Sequence, residues 1–510
     1  MYKIIDIYWE RSNLHIIFDN IITEDVYLLR QTEEIKLDVV NDNEICINIT
    51  NINGKMLNAA TWALISEYRD LVVSEEVVEK LNDKTRNFIY GKERYAYLVN
   101  LSIDSEMHLK ITTRFMMVNY KPQKFYRLAA AKTLFGKIGI IAKRIGVVIF
   151  NVYYKIIRFF RKNKQSILFL TENSYEINSN LKIMYKYMKN YNYKIRVFAH
   201  NKFGEGKKNI VTYIKEATVI AVSDVIFIDN YTPLLSHLKL NKDVKLVQLW
   251  HAGVGFKSVG YARFGLTGSP HPYISCHRNY TDVFVDQEKL IKVYEEVFGC
   301  RKEVFKAFGM PRLDGYLNKE RIKEKSEYLY RINPMLKDNK IILFSPTYRG
   351  ASSNTAYYDY SLIDLSKIYD FCKKYNFIFI VKMHPFIKDK INIDKEYRDR
   401  IYDYSSIDIN DLIYISDVMI TDYSSCAYEF SLFNRPLIFY RFDKVLYEYE
   451  RPMHTVDTFT DKQFEVKTFD ELISVLEELK NELPTDRFAN INKISNKNIC
   501  EKIKNEVMGD

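Results

Sequence analysis

The stretch Ile420-Thr421-Asp422-Tyr423-Ser424-Ser425 indicates the fold most directly. It follows the mostly apolar segment 412–419 and precedes a helix-like run at 427–433. A strand that ends in hydroxyl groups and continues into a helix presents free backbone N–H groups at the positive end of the helix dipole. We therefore expect a sheet edge that binds phosphate at this point.

Strand-like apolar segments alternate with helical segments through most of the chain. Ahead of the opening stretch, buried strands are predicted at 166–171, 193–200, 217–222, 225–229 and 245–250. After a linker around 314–340, further strands are predicted at 341–345, 377–383, 412–420 and 436–440. Two consecutive α/β alternations predict two doubly wound lobes, 165–335 and 336–510, with a cleft between them. Ligands of such sheets bind outside the carboxyl ends of the strands, where most of the candidate residues below fall.

The first 120 residues follow a different pattern, with short alternating segments separated by turn signals. Strands are predicted at 2–9, 14–19, 26–30, 35–40, 44–49, 95–102 and 108–119. Strands at this spacing are typical of a β-sandwich, so we predict a β-rich accessory domain over 1–120. His15 and His108 alternate with apolar neighbours and are expected to be ordinary sheet residues.

One segment carries the basic excess of the chain. The formal net charge is +10, but 11 Lys and Arg fall within 124–164, and the remainder has 64 Lys and Arg against 65 Asp and Glu. The longest uncharged run of that segment, 145–154, has ten residues, whereas a membrane span needs about 20. We predict that 121–164 forms a cationic amphipathic helix on an anionic membrane surface. The cations proposed for this contact are Lys143, Arg144, Lys155 and Arg158.

Two other readings of this basic segment are possible. An inter-domain helix packed on a neighbour would have a similar sequence. Nucleic acid would also attract the charge, but no nucleic-acid-reading motif accompanies it, so we do not expect nucleic acid as a partner.

The remaining bulk properties restrict the class of protein. A chain of 510 residues is too long for a single core. Its six cysteines are scattered without zinc-site spacing, which favours free cytosolic thiols over disulfides. The N-terminus Met-Tyr-Lys-Ile-Ile-Asp lacks the pattern of a signal peptide. We expect an intracellular protein without a metal or another cofactor, and the oligomeric state stays open.

A histidine follows a predicted strand in the motif Gln248-Leu249-Trp250-His251-Ala252-Gly253-Val254-Gly255-Phe256-Lys257. The glycines after His251 would let a substrate approach the backbone, and an imidazole with a near-neutral pKa is suited to general-base catalysis. The alternative is a histidine that only caps the loop.

Three more motifs bear polar side chains, two of them at strand ends. In Gly309-Met310-Pro311-Arg312-Leu313-Asp314, Arg312 offers a guanidinium for phosphate, although a turn with an Arg–Asp pair would look the same. In Phe344-Ser345-Pro346-Thr347-Tyr348-Arg349-Gly350, a hydroxyl and a guanidinium suit a diphosphate, or form a polar turn. In Val381-Lys382-Met383-His384-Pro385, the proline ends the strand and holds His384 extended, either at the cleft or packed beside the turn.

The opening motif has a carboxylate one turn beyond its serines. Glu429 would repel phosphate but could bind sugar hydroxyls, whereas the serines could simply cap a helix. The chain has no Asp-x-Asp, which argues against a nucleotide-sugar transferase that holds a metal by that motif. It also lacks the glycine-rich signatures of P-loop ATPases and Rossmann dehydrogenases.

Taken in order, these motifs resemble the CDP-glycerol glycerophosphotransferase family of bacterial teichoic acid and capsule assembly. The resemblance covers roughly residues 165–480 and rests on QLWHAGVGFK from Gln248, GMPRLD from Gly309, SPTYRG from Ser345, KMHP from Lys382, TDYSS from Thr421 and RPLIFY from Arg435. It implies a GT-B-like two-lobed α/β unit. It also implies transfer of a polyol phosphate from a CDP-activated donor to a hydroxyl of a lipid-linked acceptor, with release of CMP.

The resemblance also implies roles for single residues. His251 would be the base, and His384 would contact the donor pyrophosphate. Glu429 would lie near the nucleotide ribose or the acceptor. The residues expected to bind phosphate oxygens are Arg312, Thr347, Arg349, Ser424 and Ser425. Lys257 and Asp422, which belong to the same motifs, complete the predicted substrate-binding set.

Two departures from the family pattern are visible. A histidine–glycine pair common in the family is His251-Ala252-Gly253 here, and paired serines are replaced by Val285-Asp286-Gln287, which leaves that loop without a role. The resemblance places the protein peripherally on the cytoplasmic face of the membrane. It leaves open the choice between glycerol and ribitol, between primase and polymerase, and between wall and capsule product.

Two other functions remain possible at this point. A GT-B glycosyltransferase that uses a nucleotide sugar would share the cleft and many of its contacts. A wall-polymer binding protein would hold glycan on the β-rich domain and leave the cleft idle.

Overall fold

The computed structural model describes residues 1–91, 95–117, 134–161, 165–172, 174–200, 209–251, 258–266, 270–350, 355–450, 454, 464–480 and 498–509. Four sheets account for the strands of these residues. Two of the sheets lie in the N-terminal part, and two parallel sheets follow.

The N-terminal part, residues 1–117, forms a module that is rich in β-strands. Its strands are β1 (Tyr2–Glu10), β2 (Asn13–Phe18), β3 (Val26–Arg30), β4 (Glu33–Lys36), β5 (Val39–Asn41), β6 (Glu44–Asn48), β7 (Thr61–Ser66), β8 (Leu71–Val73), β9 (Arg86–Tyr90), β10 (Tyr95–Ile103) and β11 (Leu109–Met117). One helix, α1 (Glu75–Lys80), precedes β9. The strand orders are β5-β6-β2-β1-β8 and β4-β3-β7-β11-β10-β9, and the pairing is antiparallel except between β1 and β8.

Alternation of apolar side chains explains why this module has a single core. Tyr95, Tyr97, Val99 and Leu101 on β10 all point inward and are buried, as period-two alternation requires. Residues from both sheets share this core, which also receives Phe264 from the following lobe. The predicted β-rich N-terminal part is therefore present.

The helix α2 (Leu134–Phe159) connects the module to the first parallel sheet. That sheet has the order β13-β12-β14-β15-β16-β17. Its strands are β12 (Ser166–Thr171), β13 (Lys194–Ala199), β14 (Val225–Ile228), β15 (Lys245–Gln248), β16 (Asp282–Phe284) and β17 (Phe305–Lys306). The helices of this part are α3 (Ser179–Met188), α4 (Ile210–Ala221), α5 (Ile291–Phe298), α6 (Leu313–Leu317), α7 (Lys319–Ile332) and α8 (Met335–Asp338).

The second parallel sheet has the order β20-β19-β18-β21-β22-β23. Its strands are β18 (Lys340–Phe344), β19 (Phe377–Val381), β20 (Ile401–Asp403), β21 (Val418–Thr421), β22 (Leu437–Tyr440) and β23 (Glu465–Val466). Its helices are α9 (Leu365–Tyr375), α10 (Ile409–Ile415), α11 (Cys426–Ser431), α12 (Lys444–Glu450) and α13 (Phe469–Leu479). The last helix, α14 (Ile499–Met508), returns to the first lobe, where Asp314 accepts hydrogen bonds from the backbone of Ile499 and Cys500.

Two strand predictions were wrong. Of the predicted strand 217–222, residues 217–221 belong to helix α4 and Val222 is its C-cap, and 412–415 belongs to helix α10, so that β21 begins only at Val418. Both are short apolar runs, which can be buried equally well in a helix or in a strand. The periodicity of their hydrophobic residues therefore does not distinguish the two structures. The predicted strand 35–40 is divided between β4 and β5.

The module is attached to the first lobe by polar contacts and by an aromatic anchor. Arg278 donates hydrogen bonds to the carbonyl oxygens of Thr50 and Gly54 at 2.7 Å each. Phe264 inserts between module rings, with its centroid 5.4 Å from that of Phe88. Gly265 has φ +88°, and a Cβ there would lie 3.0–3.3 Å from Phe88, so this close approach favours glycine.

Candidate functional site

A cleft of about 850 Å³ lies between the two parallel sheets, at the carboxyl ends of their strands. This is the position at which open α/β sheets bind ligands. Its lining includes six of the predicted site residues, which are His251, Arg312, His384, Ser424, Ser425 and Glu429. Sequence reasoning thus located residues that lie far apart in the chain and share one opening in the structure.

His251 is held at the cleft by the strand that precedes it. The carbonyl oxygen of Asp229, on the neighbouring strand end, lies 2.9 Å from Nδ1 of His251. Because a carbonyl oxygen can only accept, Nδ1 carries the hydrogen and the lone pair of the neutral ring is on Nε2. Desolvation within the cleft lowers the pKa of His251 below its ordinary value, although part of the residue remains exposed, and the nearby positive charge of Arg312 lowers it further. The imidazole is therefore a neutral base at physiological pH.

The backbone before His251 is in an unusual conformation. Trp250 has φ +50°, a left-handed value that bulky residues rarely adopt. Its N–H donates to the side-chain oxygen of Gln248 at 2.8 Å, and its carbonyl accepts from Asn180 at 2.7 Å. Surrounding hydrogen bonds thus stabilise a strained turn next to the His251 side chain, and such strained backbone is common at functional sites.

Asn180 is a functional candidate that the sequence did not reveal. It is fully buried at the start of helix α3, and its amide also donates to the carbonyl of Leu249 at 3.2 Å. Its side-chain oxygen accepts from the backbone N–H of Arg312 at 2.9 Å. One amide therefore fixes the His251 turn and the Arg312 loop relative to each other. A polar residue in an amphipathic helix carries no local signal of such a role.

Arg312 connects the two sides of the cleft. Its Nη1 donates to the carbonyl of His251 at 2.8 Å, and its Nη2 pairs with Glu429 of the second lobe. Burial raises the pKa of Glu429, and the guanidinium opposes that shift. Asp286 belongs to the loop that had no predicted role, and it interacts electrostatically with both Arg312 and Glu429. Burial raises the pKa of Asp286 to about 7.

His384 has the opposite hydrogen-bonding arrangement to His251. Its Nδ1 accepts from the backbone N–H of Phe386 at 3.1 Å, so in the neutral ring the hydrogen is on Nε2. The ring packs against Tyr348 and Phe386, each with a centroid distance of 4.7 Å. The cleft thus contains one imidazole whose Nδ1 donates a hydrogen bond and one whose Nδ1 accepts a hydrogen bond.

Ser424 and Ser425 lie where β21 leads into the short helix α11. Ser425 occupies the N-cap position, but its side chain makes no capping bond to the backbone that the structure describes. Ser424 accepts a hydrogen bond from the thiol of Cys426 at 3.1 Å. Both serines line the cleft. Their position is therefore not explained by the alternative in which they only cap helix α11.

Arg349, Thr347 and Asp422 form a buried network beside this loop and are not among the described residues that line the cleft. Arg349 donates to Asp422 at 2.8 Å and, through two nitrogens, to Asp443 at 2.6 and 3.0 Å. Asp422 accepts from the backbone N–H of Thr347 at 2.7 Å. This arrangement connects the ends of β18 and β21 and supports the serine loop from behind.

The structure also supplies cleft residues that were not predicted individually. Lys382 lines the cleft, and its ammonium donates to the carbonyl of Ser405 at 2.7 Å. Burial lowers the pKa of Lys382. An apolar part of the wall is formed by Met383, Pro385, Ile387, Ile407 and Ile409. Lys257 lies outside the described residues.

Among the residues that the structure describes, no three His, Cys, Asp or Glu side chains are grouped as metal ligands. Within the same residues, none of the helices combines the length and the apolarity that crossing a bilayer requires.

The proposed membrane cations are placed differently from one another. Arg144 and Lys155 are exposed on α2. Arg158 is buried and pairs with Asp243 at 2.7 Å and with Asp224 at 3.4 Å, so it is not available to a lipid surface. Lys143 belongs to the helix, but its side chain lies outside the described residues.

Comparison with known proteins identifies relatives of this chain. The chain is 35% identical over 342 residues to the teichoic acid poly(ribitol-phosphate) polymerase of Bacillus spizizenii, which covers 66% of this chain and 55% of that protein. It is 30% identical over 335 residues to the teichoic acid ribitol-phosphate polymerase TarL of Staphylococcus aureus, which covers 64% of this chain and 59% of that protein. The chain thus spans less than two thirds of the length of these relatives.

A likeness in fold extends to a solved structure. The wall teichoic acid polymerase TagF superposes with a TM-score of 0.56 at 19% identity, covering 74% of this chain and 97% of that one. The sequence profile of the family described as CDP-Glycerol:Poly(glycerophosphate) glycerophosphotransferase matches residues 152–507. That range contains every cleft residue described above, and the chain therefore belongs to this family.

Proposed function

We propose that this protein transfers a polyol phosphate from a CDP-activated donor to a hydroxyl of a lipid-linked polyol-phosphate acceptor and releases CMP. Family membership supports the reaction class. The observation that carries the proposal is the meeting of His251, His384, Ser424 and Ser425 in one cleft. The two histidines present complementary groups there, a base on one side and a hydrogen-bond donor on the other.

The lining suggests how the donor lies in the cleft. Hydroxyls of Ser345, Ser424 and Ser425 and the Nε2–H of His384 would bind the diphosphate as donors. The apolar wall that includes Ile387 and Ile407 would pack against the cytosine ring. The polyol would then point toward the first lobe, where His251 and Arg312 lie. Thr347, Arg349 and Asp422 were predicted to bind the substrate, and we propose instead that they support the serine loop from behind.

The transfer follows from this orientation. The acceptor hydroxyl attacks the β-phosphorus while its proton passes to Nε2 of His251. A new P–O bond forms, the bond to the bridging oxygen breaks, and CMP leaves with that electron pair. Phosphoryl transfer of this kind depends on positioning and on charge stabilisation. Arg312, if released from Glu429, would neutralise the developing negative charge.

The relatives favour one donor over the other. Both curated proteins cited above are described as ribitol-phosphate polymerases. We therefore propose ribitol phosphate as the preferred unit of this enzyme, and extension of a polymer rather than priming. Separate incubations with CDP-ribitol and CDP-glycerol, a lipid-linked primer and a CMP assay test this choice.

We propose that the two parallel sheets form the GT-B-like unit implied by the sequence, which the likeness to TagF supports. A nucleotide-sugar glycosyltransferase would use a similar cleft. Its product would be a glycosidic bond and a nucleoside diphosphate, so product analysis in the same assay separates the two reactions.

The outer face of α2 supports peripheral membrane binding on the cytoplasmic side. Apolar residues at helical spacing are each more than half exposed on it, namely Ile145, Val148, Ile149, Val152, Ile156 and Phe159. The adjacent helix α4 adds the exposed side chains of Ile210 and Val211. Full burial of such a side chain contributes about 1.5–3 kcal/mol, which exceeds the roughly 1 kcal/mol of each nearby cation. We propose that this apolar face, flanked by Arg144 and Lys155, contacts the lipid.

A further inference from the structure

A row of buried polar side chains leads from the turn before His251 into the core of the first lobe. Its members are Gln248, Tyr280 and His277, and the transfer reaction as described so far does not use them. None of the three is among the described residues that line the cleft. Buried polar groups are costly unless they are hydrogen-bonded, so their partners indicate what they stabilise.

The first link in this row is the side-chain amide of Gln248, the last residue of β15. A backbone N–H can only donate, so the atom that lies 2.8 Å from the Trp250 nitrogen is the amide oxygen. The amide nitrogen therefore faces the hydroxyl of Tyr280, also at 2.8 Å, and donates to it. A flipped amide would place its NH₂ group against the N–H of Trp250, with two donors opposed.

The second link is the hydroxyl of Tyr280, which accepts from Gln248 and has one hydrogen to donate. Nδ1 of His277 lies 2.8 Å from this hydroxyl, whereas the sulfur of Cys276 is 3.7 Å away. Burial raises the pKa of Tyr280 well above its ordinary value and lowers the pKa of His277 to about 3, so a protonated phenol faces a neutral ring. The hydroxyl therefore donates to His277, and the hydrogen bonds of the row all run in one direction.

Aromatic packing holds the same residues together. The ring of Trp250 lies 4.4 Å from the ring of His251 and 5.1 Å from that of Phe298, measured between centroids. Phe298 in turn contacts the rings of His277 and Tyr280, with centroid distances of 5.1 and 5.5 Å. A displacement of Tyr280 would therefore reach Trp250 through packing as well as through the amide.

The backbone that presents Tyr280 is fixed on two sides. Tyr280 ends a single helical turn, Cys276–Asn279. The side chain of Asn279 donates to the carbonyl of Leu235 at 2.8 Å, and Arg278 connects the turn to the β-rich module. The hydroxyl of Tyr280 is thus held in a defined place relative to β15.

We propose that Tyr280 is a positioning residue for the transfer reaction. By accepting from Gln248, it fixes the amide with its oxygen toward Trp250, and that bond holds the left-handed turn from which His251 reaches the cleft. Precise placement of a base accelerates the chemical step and leaves the affinity for the donor unchanged. The inference rests on the proposed role of His251 as base.

Tyr280→Phe tests the inference, because it removes the hydroxyl and keeps the ring. The kcat of transfer should fall roughly tenfold, while the donor KM changes by less than about twofold. The matched control is Tyr154→Phe, since Tyr154 is buried in the same core and its hydroxyl accepts from the backbone of Asn241 at 3.1 Å. This control should keep the normal kcat. An unchanged kcat in Tyr280→Phe, an equal loss in the control, or a change confined to KM would overturn the inference.

A double-mutant cycle shows whether Tyr280 acts through Gln248. Gln248→Met removes both hydrogen bonds of the amide at similar side-chain size. Adding Tyr280→Phe to Gln248→Met should lower kcat no further, because the connection is already broken. Losses that multiply in the double variant would overturn the inference, since Tyr280 would then act by another route.

NMR of histidine-labelled full-length protein gives a measurement that does not require turnover. The Nδ1–H proton of His251, assigned by its absence from His251→Ala, is bonded to the carbonyl of Asp229. Its signal should shift or broaden in Tyr280→Phe and stay in place in Tyr154→Phe. An unchanged signal in Tyr280→Phe would overturn the inference. A shifted signal in a protein that transfers no polyol phosphate would contradict the proposed function alone.

Discussion

In the proposed reaction, the proton transfer depends on His251. With its Nδ1–H held by the Asp229 carbonyl, it is a base without competing hydrogen bonds in the described cleft. His251→Ala should lower kcat by about 10²–10⁴-fold, the usual contribution of a general base, while the affinity for the CDP donor is retained. Isothermal titration with the donor and steady-state CMP release measure the two quantities separately.

The same residue predicts the acidic side of the pH profile. The base must be unprotonated, and its pKa is lowered by burial and by Arg312. Activity should therefore persist as the pH falls to 6.5 and decline only below that value. A kcat/KM profile over the acidic range measures this, and a half-maximal point clearly above pH 6.5 would argue against His251 as the titrating base.

Asn180 provides a prediction about positioning. Asn180→Asp keeps the size of the side chain and the oxygen that accepts from the backbone N–H of Arg312. It replaces the amide NH₂ group, which donates to the carbonyl oxygens of Leu249 and Trp250, by a carboxylate oxygen that cannot donate to them. The resulting displacement of His251 should reduce kcat by roughly 10–100-fold with little change in the donor KM. The matched control is Asn178→Asp, an exposed residue just before the same helix. A change confined to KM would show that Asn180 does not act through His251.

Sequence reasoning identified side chains that face the cleft better than those that support it. His251 and His384 follow strands and precede glycine or proline, a local pattern that indicates a sheet edge. Asn180 gave no such signal, because its partners lie 69 to 132 residues away. The sequence around Arg349 looks like that of a phosphate-binding loop. Its ion pair with Asp443, 94 residues away, forms only in the folded chain and could not be recognised from the sequence.

At the scale of structural elements, the serine loop between β21 and α11 depends on the ion pairs behind it. Arg349→Lys removes the two-nitrogen contact with Asp443 and weakens that with Asp422, both buried. The free energy of unfolding should fall by roughly 1.5–3 kcal/mol, because lysine keeps the positive charge but loses hydrogen bonds to the carboxylates. Thermal denaturation measures this, with exposed Arg331→Lys as control. An unchanged Tm with a raised donor KM would instead identify Arg349 as a direct ligand.

Helix α2 is the element that tests membrane contact. The double change Val152→Glu and Ile156→Glu places charge on its exposed apolar face and should lower pelleting with anionic vesicles at least tenfold. Ile89→Glu, at an exposed apolar position of the module, should leave pelleting unchanged. Equal binding of the unchanged protein, the double variant and Ile89→Glu to the vesicles would show that this face does not contact the membrane. Arg158 is unsuitable for the test, because its charge reversal would break buried pairs with Asp224 and Asp243.

The sequence predicted elements unevenly for a physical reason. Strands such as 166–171 were recognised because both faces are covered and the run is continuously apolar. The segments 217–222 and 412–415 are equally apolar but helical, since each ends a helix that packs inward. Short edge strands such as β17 and β23, with two residues each, are too brief to form a pattern.

In the molecule as a whole, the ion pair between Arg312 and Glu429 crosses the cleft between the two lobes. Arg312 and Glu429 are 13% and 6% exposed, and their side chains meet where the donor is proposed to bind. A donor that recruits Arg312 must compete with this pair. We propose that polyol phosphate is transferred in the cleft around this pair, with His251 as the base.

The most direct test compares the full-length protein with His251→Ala, using CDP-ribitol, CDP-glycerol and a lipid-linked primer, with CMP and the lengthened acceptor both measured. We expect CMP release that is matched by phosphodiester formation, is faster with CDP-ribitol and is lost in the variant. CMP release at the normal rate from His251→Ala, or no transfer from either donor by the full-length protein, would contradict it.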